Sequence, residues 1–140
     1  MPYAKEQLKS IFDRTSGYCH ICRKQLAFTN YGKKGNRGAW EVEHSKPKAK
    51  GGTNHLNNLY AACIPCNRDK GVVTTRTART HHGTSSAPLS REKRENAKTI
   101  NAAKGAAIGG FVGSFLGPLG TAAGAALGAK LGYNQNPDND

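Results

Sequence analysis

The stretch EVEHSKPKAKGGTNHLNNLYAACIPCNRDKG, residues 41–71 of the 140-residue chain, decides the fold. Alternation of apolar and polar residues predicts a first strand over 39–44, and a second short strand or turn near 56–60. The Gly-Gly pair at 51–52 predicts a loop with positive φ or a close backbone approach. A helix is predicted over 62–70. This order of strand, loop, strand and helix indicates a small α+β domain.

The chain contains two CxxC pairs, one before this stretch and one inside it, with 40 residues between them. A CxxC turn brings two thiolates to one ion, and two such turns complete the tetrahedron that zinc prefers. A core this small buries little apolar area, so metal binding would contribute much of the folding energy. By itself the clamp fits a passive zinc ribbon as well as an enzyme. The predicted zinc ligands are Cys19, Cys22, Cys63 and Cys66.

The order of residue types gives a more specific match. An acidic residue and a His end the first strand, a Pro and the Gly-Gly loop follow, then Asn-Leu at 58–59, then CxxC-Asn-x-x-Lys-Gly at 63–71. Residues 15–71 resemble the zinc-clamped ββα-metal (His-Me finger) core of HNH nucleases. The resemblance implies that the chain hydrolyses DNA phosphodiester bonds with a divalent metal.

Four residues receive roles in this reaction. His44 is the candidate general base, because an imidazole titrates near neutral pH. The resemblance implies that Asn58 orients His44 through its side chain or backbone. It also implies that Glu43 and Asn67 bind the catalytic metal, and oxygen ligands suit Mg²⁺ or Mn²⁺.

The charge of the chain favours a polyanionic partner. The formal net charge is +12, and residues 1–104 hold 20 of the 21 basic residues. Charge alone permits DNA, RNA or an anionic membrane. Arg68 and Lys70 are expected to hold the phosphates that flank the cut, although a solvated helix face fits Arg68 equally well. Non-specific backbone contacts are expected from Lys46, Lys48, Lys50, Lys33, Lys34 and Arg37.

Composition divides the chain into four parts. Residues 1–73, with an amphipathic helix over 3–15, are the predicted nuclease domain. Residues 74–101 are a predicted flexible linker and polar helix, because Thr and Ser are abundant and apolar side chains are few. Residues 102–133 are a predicted Gly/Ala-rich helical hairpin, and 134–140 a disordered tail. No function is expected for His20, His55, His81 and His82.

The C-terminal part carries a regular glycine pattern. Glycine recurs every fourth residue through 105–117 and again through 120–132, and residues 105–129 contain no charge. Glycine at this spacing lies on one helix face and allows close helix approach. The segment resembles glycine-zipper membrane sequences, with a hairpin turn expected at 118–119. Membrane association and self-association are both consistent with this pattern.

The location and the rival functions follow from these parts. The first twenty residues contain no apolar core of a secretory signal, so a cytoplasmic protein is expected, with the option of membrane association. One rival is a non-catalytic zinc-ribbon module that binds nucleic acid. Another is a membrane-acting toxin whose tail is the active part. The combination of a compact nuclease with a membrane-active segment would suit a toxin, defence or phage-linked protein, with an immunity or other partner protein.

Overall fold

The computed structural model describes residues 2–139, and the chain divides into two compact units, Met1–Arg91 and Glu92–Asp140. Its helices and strands are α1 (Lys5–Asp13), β1 (Trp40–His44), β2 (Leu59–Cys63), α2 (Ile64–Lys70), α3 (Thr75–Thr80), α4 (Arg91–Gly113) and α5 (Gly117–Asn134). Single-turn 3₁₀ helices lie at Phe28–Asn30, Lys48–Lys50, Leu56–Asn58, Ser114–Leu116 and Pro137–Asn139.

Helix α1 supplies one side of the core of the first unit. Its apolar residues Leu8, Ile11 and Phe12 recur at helical spacing and are all buried. The Phe12 ring lies 5.1 Å from the ring of Trp40, which begins β1 and is fully buried. The helix predicted over 3–15 is therefore present, with shorter ends.

Strands β1 and β2 form a two-stranded antiparallel sheet in which Trp40 pairs with Cys63 and His44 pairs with Leu59. The second strand begins later than predicted, because residues 56–58 form a 3₁₀ turn and the more apolar LYAAC segment forms the strand. This register places the end of β1 beside the start of β2, and α2 returns along the sheet until Lys70, at its end, bonds to the His44 carbonyl (3.1 Å). The α+β fold class is confirmed.

The segment 74–90 differs from the flexible linker predicted from its composition. It contains α3, which Thr74 caps by accepting a hydrogen bond from the Thr77 amide (3.2 Å). Thr75 is buried, and its hydroxyl donates to the Ser45 carbonyl (3.0 Å). Threonine hydroxyls that bond to backbone are satisfied without an apolar core, which explains why composition alone suggested a linker.

Helices α4 and α5 form an antiparallel hairpin, as predicted. A Cβ added at Gly105 would collide with the carbonyl oxygen of Gly128, and one at Gly109 with that of Gly124. The backbones therefore touch along the glycine ridges, which only residues without a side chain permit. The turn lies earlier than expected, because α4 ends at Gly113 and Gly117 takes the positive φ (+81°) that reverses the chain.

The predicted polar helix belongs to the first arm of this hairpin, since α4 runs without interruption from Arg91 to Gly113. The predicted disordered tail also has structure up to residue 139. Asp138 forms an ion pair with Arg94, and both side chains are buried. This pair attaches the C-terminal residues to the start of α4, a long-range contact that local composition does not reveal.

Candidate active site and cysteine cluster

The four cysteine side chains converge on one point. Their sulfur atoms all lie within 4.8 Å of one another, and the Sγ atoms of Cys22 and Cys63 are 3.7 Å apart. A tetrahedral zinc with Zn–S bonds of about 2.3 Å places neighbouring sulfurs about 3.8 Å apart. The cluster therefore has the donor set and spacing of a structural zinc site.

Local backbone geometry builds each half of the cluster. Cys19 and Cys22 lie in a turn closed by the Arg23 amide, which donates to the Cys19 carbonyl (2.9 Å). Cys63 ends β2 and Cys66 lies in the first turn of α2. The antiparallel sheet brings the second pair to the first, so the tertiary fold and the cluster depend on each other.

The four neighbouring thiols shift one another's pKa values, two upward and two downward. Thiol hydrogen bonds from Cys19 and Cys66 outweigh the opposing effect of Cys22 and lower the pKa of Cys63 to about 7. The pKa of Cys22 is also lowered by these hydrogen bonds, whereas those of Cys19 and Cys66 are raised. Two sulfurs of the cluster are thus favoured as thiolates, which are the form that binds metal.

A cleft of about 260 Å³ lies beside the end of β1. Glu43, His44 and Asn67 all line it, although Asn67 is distant from the other two in sequence. Lys48 lines the same cleft and is exposed. The structure therefore places the predicted base, both predicted metal ligands and one predicted phosphate contact around one opening.

The side chain that holds His44 is Asn54, which the sequence analysis did not identify. His44 Nε2 lies 2.9 Å from Asn54 Oδ1. An amide oxygen only accepts, so the imidazole proton lies on Nε2 and the lone pair of a neutral ring lies on Nδ1. Nothing in the sequence marks Asn54 as the partner of His44.

Asn58 shapes the loop rather than contacting the imidazole. Its Oδ1 accepts from the Lys46 amide (2.7 Å), and its Nδ2 donates to the carbonyls of Lys46 (3.1 Å) and Thr53 (2.9 Å). Its own carbonyl accepts from the Ser45 amide (2.9 Å). These bonds close the loop between β1 and β2 and place Asn54, so the link from Asn58 to His44 is indirect.

The Gly-Gly pair makes this closed loop possible, as predicted. Gly51 has φ +79°, and a Cβ added at Gly52 would collide with the Lys46 carbonyl oxygen. Both reasons for glycine proposed from the sequence therefore apply, one at each position.

Glu43 is buried, with 3% of the residue exposed. Its Oε1 lies 2.6 Å from Lys70 Nζ and its Oε2 lies 2.7 Å from His20 Nε2. Burial acts to raise the pKa of the Glu43 carboxyl, but His20 and Lys70 outweigh burial and hold the pKa below its ordinary value. Glu43 is consequently an ionised carboxylate at the inner wall of the cleft, with both oxygens already paired.

Lys70 lies where a phosphate could not reach it, contrary to the expectation from sequence. Its side chain is 1% exposed, and Nζ also donates to the His44 carbonyl (3.1 Å). Lys70 thus connects α2 to the end of β1 between Glu43 and His44. A basic residue at the end of a helix is buried here because Glu43 compensates its charge.

His20, for which no function was expected, completes this buried network. The Arg79 guanidinium donates to His20 Nδ1 (3.1 Å), so the imidazole proton lies on Nε2, facing Glu43. Burial lowers the pKa of the His20 imidazole against the opposing effect of Glu43. Its ring stacks on Tyr60 at 4.9 Å. A polar chain therefore runs from α3 through the first CxxC turn to the cleft.

The donor atoms fit a hard divalent cation in type. Asn67 Nδ2 donates to Glu41 Oε2 (2.9 Å), which leaves Oδ1 as the atom that could bind a cation. Glu43 offers carboxylate oxygens, although the Lys70 ammonium already neutralises the charge of this carboxylate. A cation that binds Glu43 must therefore share the carboxylate with Lys70.

The remaining predicted phosphate contacts are surface residues. Lys46 and Lys50 are exposed on the loop that carries Lys48, and Arg68 lies 3.9 Å from Glu41 with 55% of its side chain exposed. At that distance and exposure the Arg68–Glu41 pair is weak, so the guanidinium is available to solvent.

Comparison with known protein families supports the resemblance to HNH nucleases for part of the chain. Residues 19–72 match the model of the HNH endonuclease family. The matched region begins at the first cysteine of the cluster and ends just beyond α2, so it contains both CxxC pairs and the cleft. It supports a nuclease-type function on nucleic acid. Searches among curated proteins and solved structures found no match for the chain.

Proposed function

We propose that the first unit is a zinc-stabilised, metal-dependent HNH endonuclease that hydrolyses DNA phosphodiester bonds. The observation that carries the proposal is the cleft in which Glu43, His44 and Asn67 meet. Cys19, Cys22, Cys63 and Cys66 would hold one structural zinc, and this zinc would keep β2, α2 and the first CxxC turn together.

His44 acts as the general base in this proposal. With Nε2 bonded to Asn54, Nδ1 is the nitrogen that removes a proton from water. The resulting hydroxide attacks phosphorus, the bond from phosphorus to the 3′ oxygen breaks, and the 3′ oxygen leaves with its electron pair. By accepting from Nε2–H, Asn54 leaves Nδ1 as the nitrogen that takes up this proton, and it continues to accept from the imidazolium that forms.

Glu43 and Asn67 are the residues that would hold the catalytic cation. When bound there, Mg²⁺ or Mn²⁺ would polarise the phosphate and stabilise negative charge on the leaving oxygen. Lys70 holds Glu43 ionised and ties it to the backbone of His44, so base and cation ligand keep a constant separation.

DNA binding is proposed to be electrostatic and largely independent of sequence. Lys48 lies at the cleft itself, where a phosphate next to the scissile bond would pass. Lys46, Lys50 and Arg68 extend the positive surface from there, and contacts to phosphates carry no base information.

The decisive experiment is plasmid nicking by the full chain with Mg²⁺, Mn²⁺, Ni²⁺ or Zn²⁺, with and without EDTA. Cleavage that requires added cation and disappears in His44→Ala supports the proposal. His81→Ala is the matched control, because His81 is exposed and lies outside the cleft. A protein that binds DNA without nicking it under any of these conditions is instead the zinc-ribbon binding module.

A second function is favoured by one observation on the C-terminal unit. By length and composition alone, the helical segment Arg91–Asn134 contains a stretch that is apolar enough for a membrane. We therefore propose that the hairpin associates with a membrane or with a second copy of the chain, which would give a cytoplasmic nuclease that is also membrane-associated. Dye leakage from liposomes distinguishes a membrane-acting toxin from a protein that only binds there.

A further inference from the structure

Exposed apolar side chains run along the hairpin of the C-terminal unit, and the most exposed of them lie at its turn. Phe115, Leu116 and Leu119 are 81%, 82% and 87% exposed, and Phe111 is 71% exposed. All four lie within the uncharged residues 105–129. Large apolar side chains grouped on one surface mark a binding site rather than a solvated end.

Two lysines border this uncharged region at the same level of the hairpin. Lys104 directly precedes Gly105, whose backbone touches that of Gly128 and lies next to Gly132. Lys130 lies between those two glycines in α5, so the helix register brings the lysines level although they are far apart in sequence. Tyr133, one turn further from the hairpin turn than Lys130, adds an aromatic side chain of the kind found at membrane interfaces.

The distance from these lysines to the turn matches half a bilayer. At about 1.5 Å per residue, α4 extends about 14 Å from Lys104 to Gly113, and α5 extends about 15 Å to Lys130 from Gly120, the residue that touches Gly113. The hydrocarbon core of a bilayer is about 30 Å thick, so one leaflet offers about 15 Å. The uncharged region is too short to span the membrane as a hairpin and long enough to fill one leaflet.

The side-chain hydroxyls inside the uncharged region are already bonded. Its two hydroxyl residues are Ser114 and Thr121. Ser114 Oγ donates to the Phe111 carbonyl (2.6 Å), and Thr121 Oγ1 donates to the Gly117 carbonyl (3.2 Å). Lipid offers no hydrogen-bond partners, so polar groups in it must bond within the protein, whereas water can supply the partners itself.

We propose that the hairpin inserts turn first into one leaflet of an anionic bilayer, with Lys104 and Lys130 at the lipid phosphates. This inference rests on the membrane association proposed above and is independent of the nuclease. Lipid is favoured over a second copy of the chain because the level pair of lysines matches an anionic plane and the depth matches a leaflet. The apolar contact is with acyl chains, and the ionic contact is with headgroups.

Depth measurement on the full chain tests the proposal. Phe115→Trp and Tyr133→Trp place a fluorophore at the turn and beyond the lysines, while the native Trp40 is fully buried and serves as an unquenched baseline. The probe vesicles contain phosphatidylcholine and phosphatidylglycerol, with bromines near the headgroup or near the chain ends. Phe115→Trp should be quenched most by bromines near the chain ends, and Tyr133→Trp most by bromines near the headgroup.

Other patterns overturn the inference in distinguishable ways. Quenching of Phe115→Trp mainly by shallow bromines means that the hairpin spans the bilayer or lies on it, which leaves membrane association intact. No quenching by either lipid removes membrane association as well. Association that grows with protein concentration without lipid, and is unchanged by vesicles, means that a second copy covers the apolar surface.

Charge variants test the headgroup contact separately. Lys104→Gln with Lys130→Gln should weaken partition into anionic vesicles about fivefold for each lysine, about 25-fold for the pair. Lys5→Gln with Lys9→Gln removes the same charge from exposed positions in α1 and should have a much smaller effect. Equal losses for both pairs would refute the headgroup placement. Phe115→Ser with Leu119→Ser should abolish binding without unfolding the hairpin, because both side chains are exposed.

Discussion

Replacement of Lys70 by Met tests the buried network beside the cleft. Lys70 Nζ and Glu43 Oε1 are 2.6 Å apart, and the two side chains are 1% and 3% exposed. Met keeps most of the packing volume but leaves the Glu43 carboxylate buried with only the His20 contact. Loss of one partner of a buried ion pair costs about 3–5 kcal/mol, and we expect a loss of unfolding free energy in that range.

The measurement is urea unfolding of zinc-loaded protein, with zinc content checked before and after. Lys48→Met is the control, because Lys48 is exposed and its change should stay within about 0.5 kcal/mol of the parent. Combining Lys70→Met with Glu43→Gln should recover part of the loss, since the charge left unpaired is then absent. A Lys70→Met protein within about 1 kcal/mol of the parent, with zinc retained, would refute the buried pairing.

Four further results are expected. His44→Ala should lower nicking about 10²- to 10⁴-fold while DNA affinity stays nearly unchanged, and a variant that cuts like the parent would disprove the base assignment. Elemental analysis should find one zinc per folded chain, whereas a disulfide in place of the metal would contradict the cluster. DNA affinity should fall steeply between low and physiological salt, and a flat response would exclude backbone-dominated binding. Truncation after residue 73 should destabilise the first unit, because it removes α3 and the Arg79–His20 contact, whereas truncation after residue 91 should leave nicking intact.

Local patterns in the sequence were sufficient for the main elements of the fold. The spacing of Leu8, Ile11 and Phe12 predicts α1 because helix periodicity acts over a few residues. Each CxxC turn is equally local, and two such turns predict a cluster of four cysteines because one zinc takes four ligands. The glycine spacing predicts the hairpin for the same reason, since a four-residue repeat places the glycines on one helix face. Only glycine on that face lets a second backbone approach so closely. The resemblance of the 41–71 region to HNH nucleases likewise depends on residue order alone.

The partners of the site residues depended on the tertiary structure. Asn54, rather than Asn58, contacts His44 because the loop closed by Asn58 determines which amide faces the ring. His20 and Lys70 are paired through Glu43 because the first CxxC turn, β1 and α2 bring three side chains that are distant in sequence into one buried volume. Residues 74–90 pack against the rest of the first unit through hydroxyl and guanidinium hydrogen bonds, which composition cannot reveal. Spacing along a chain determines helices, turns and metal knuckles, whereas the compensation of buried charge depends on which elements meet in space.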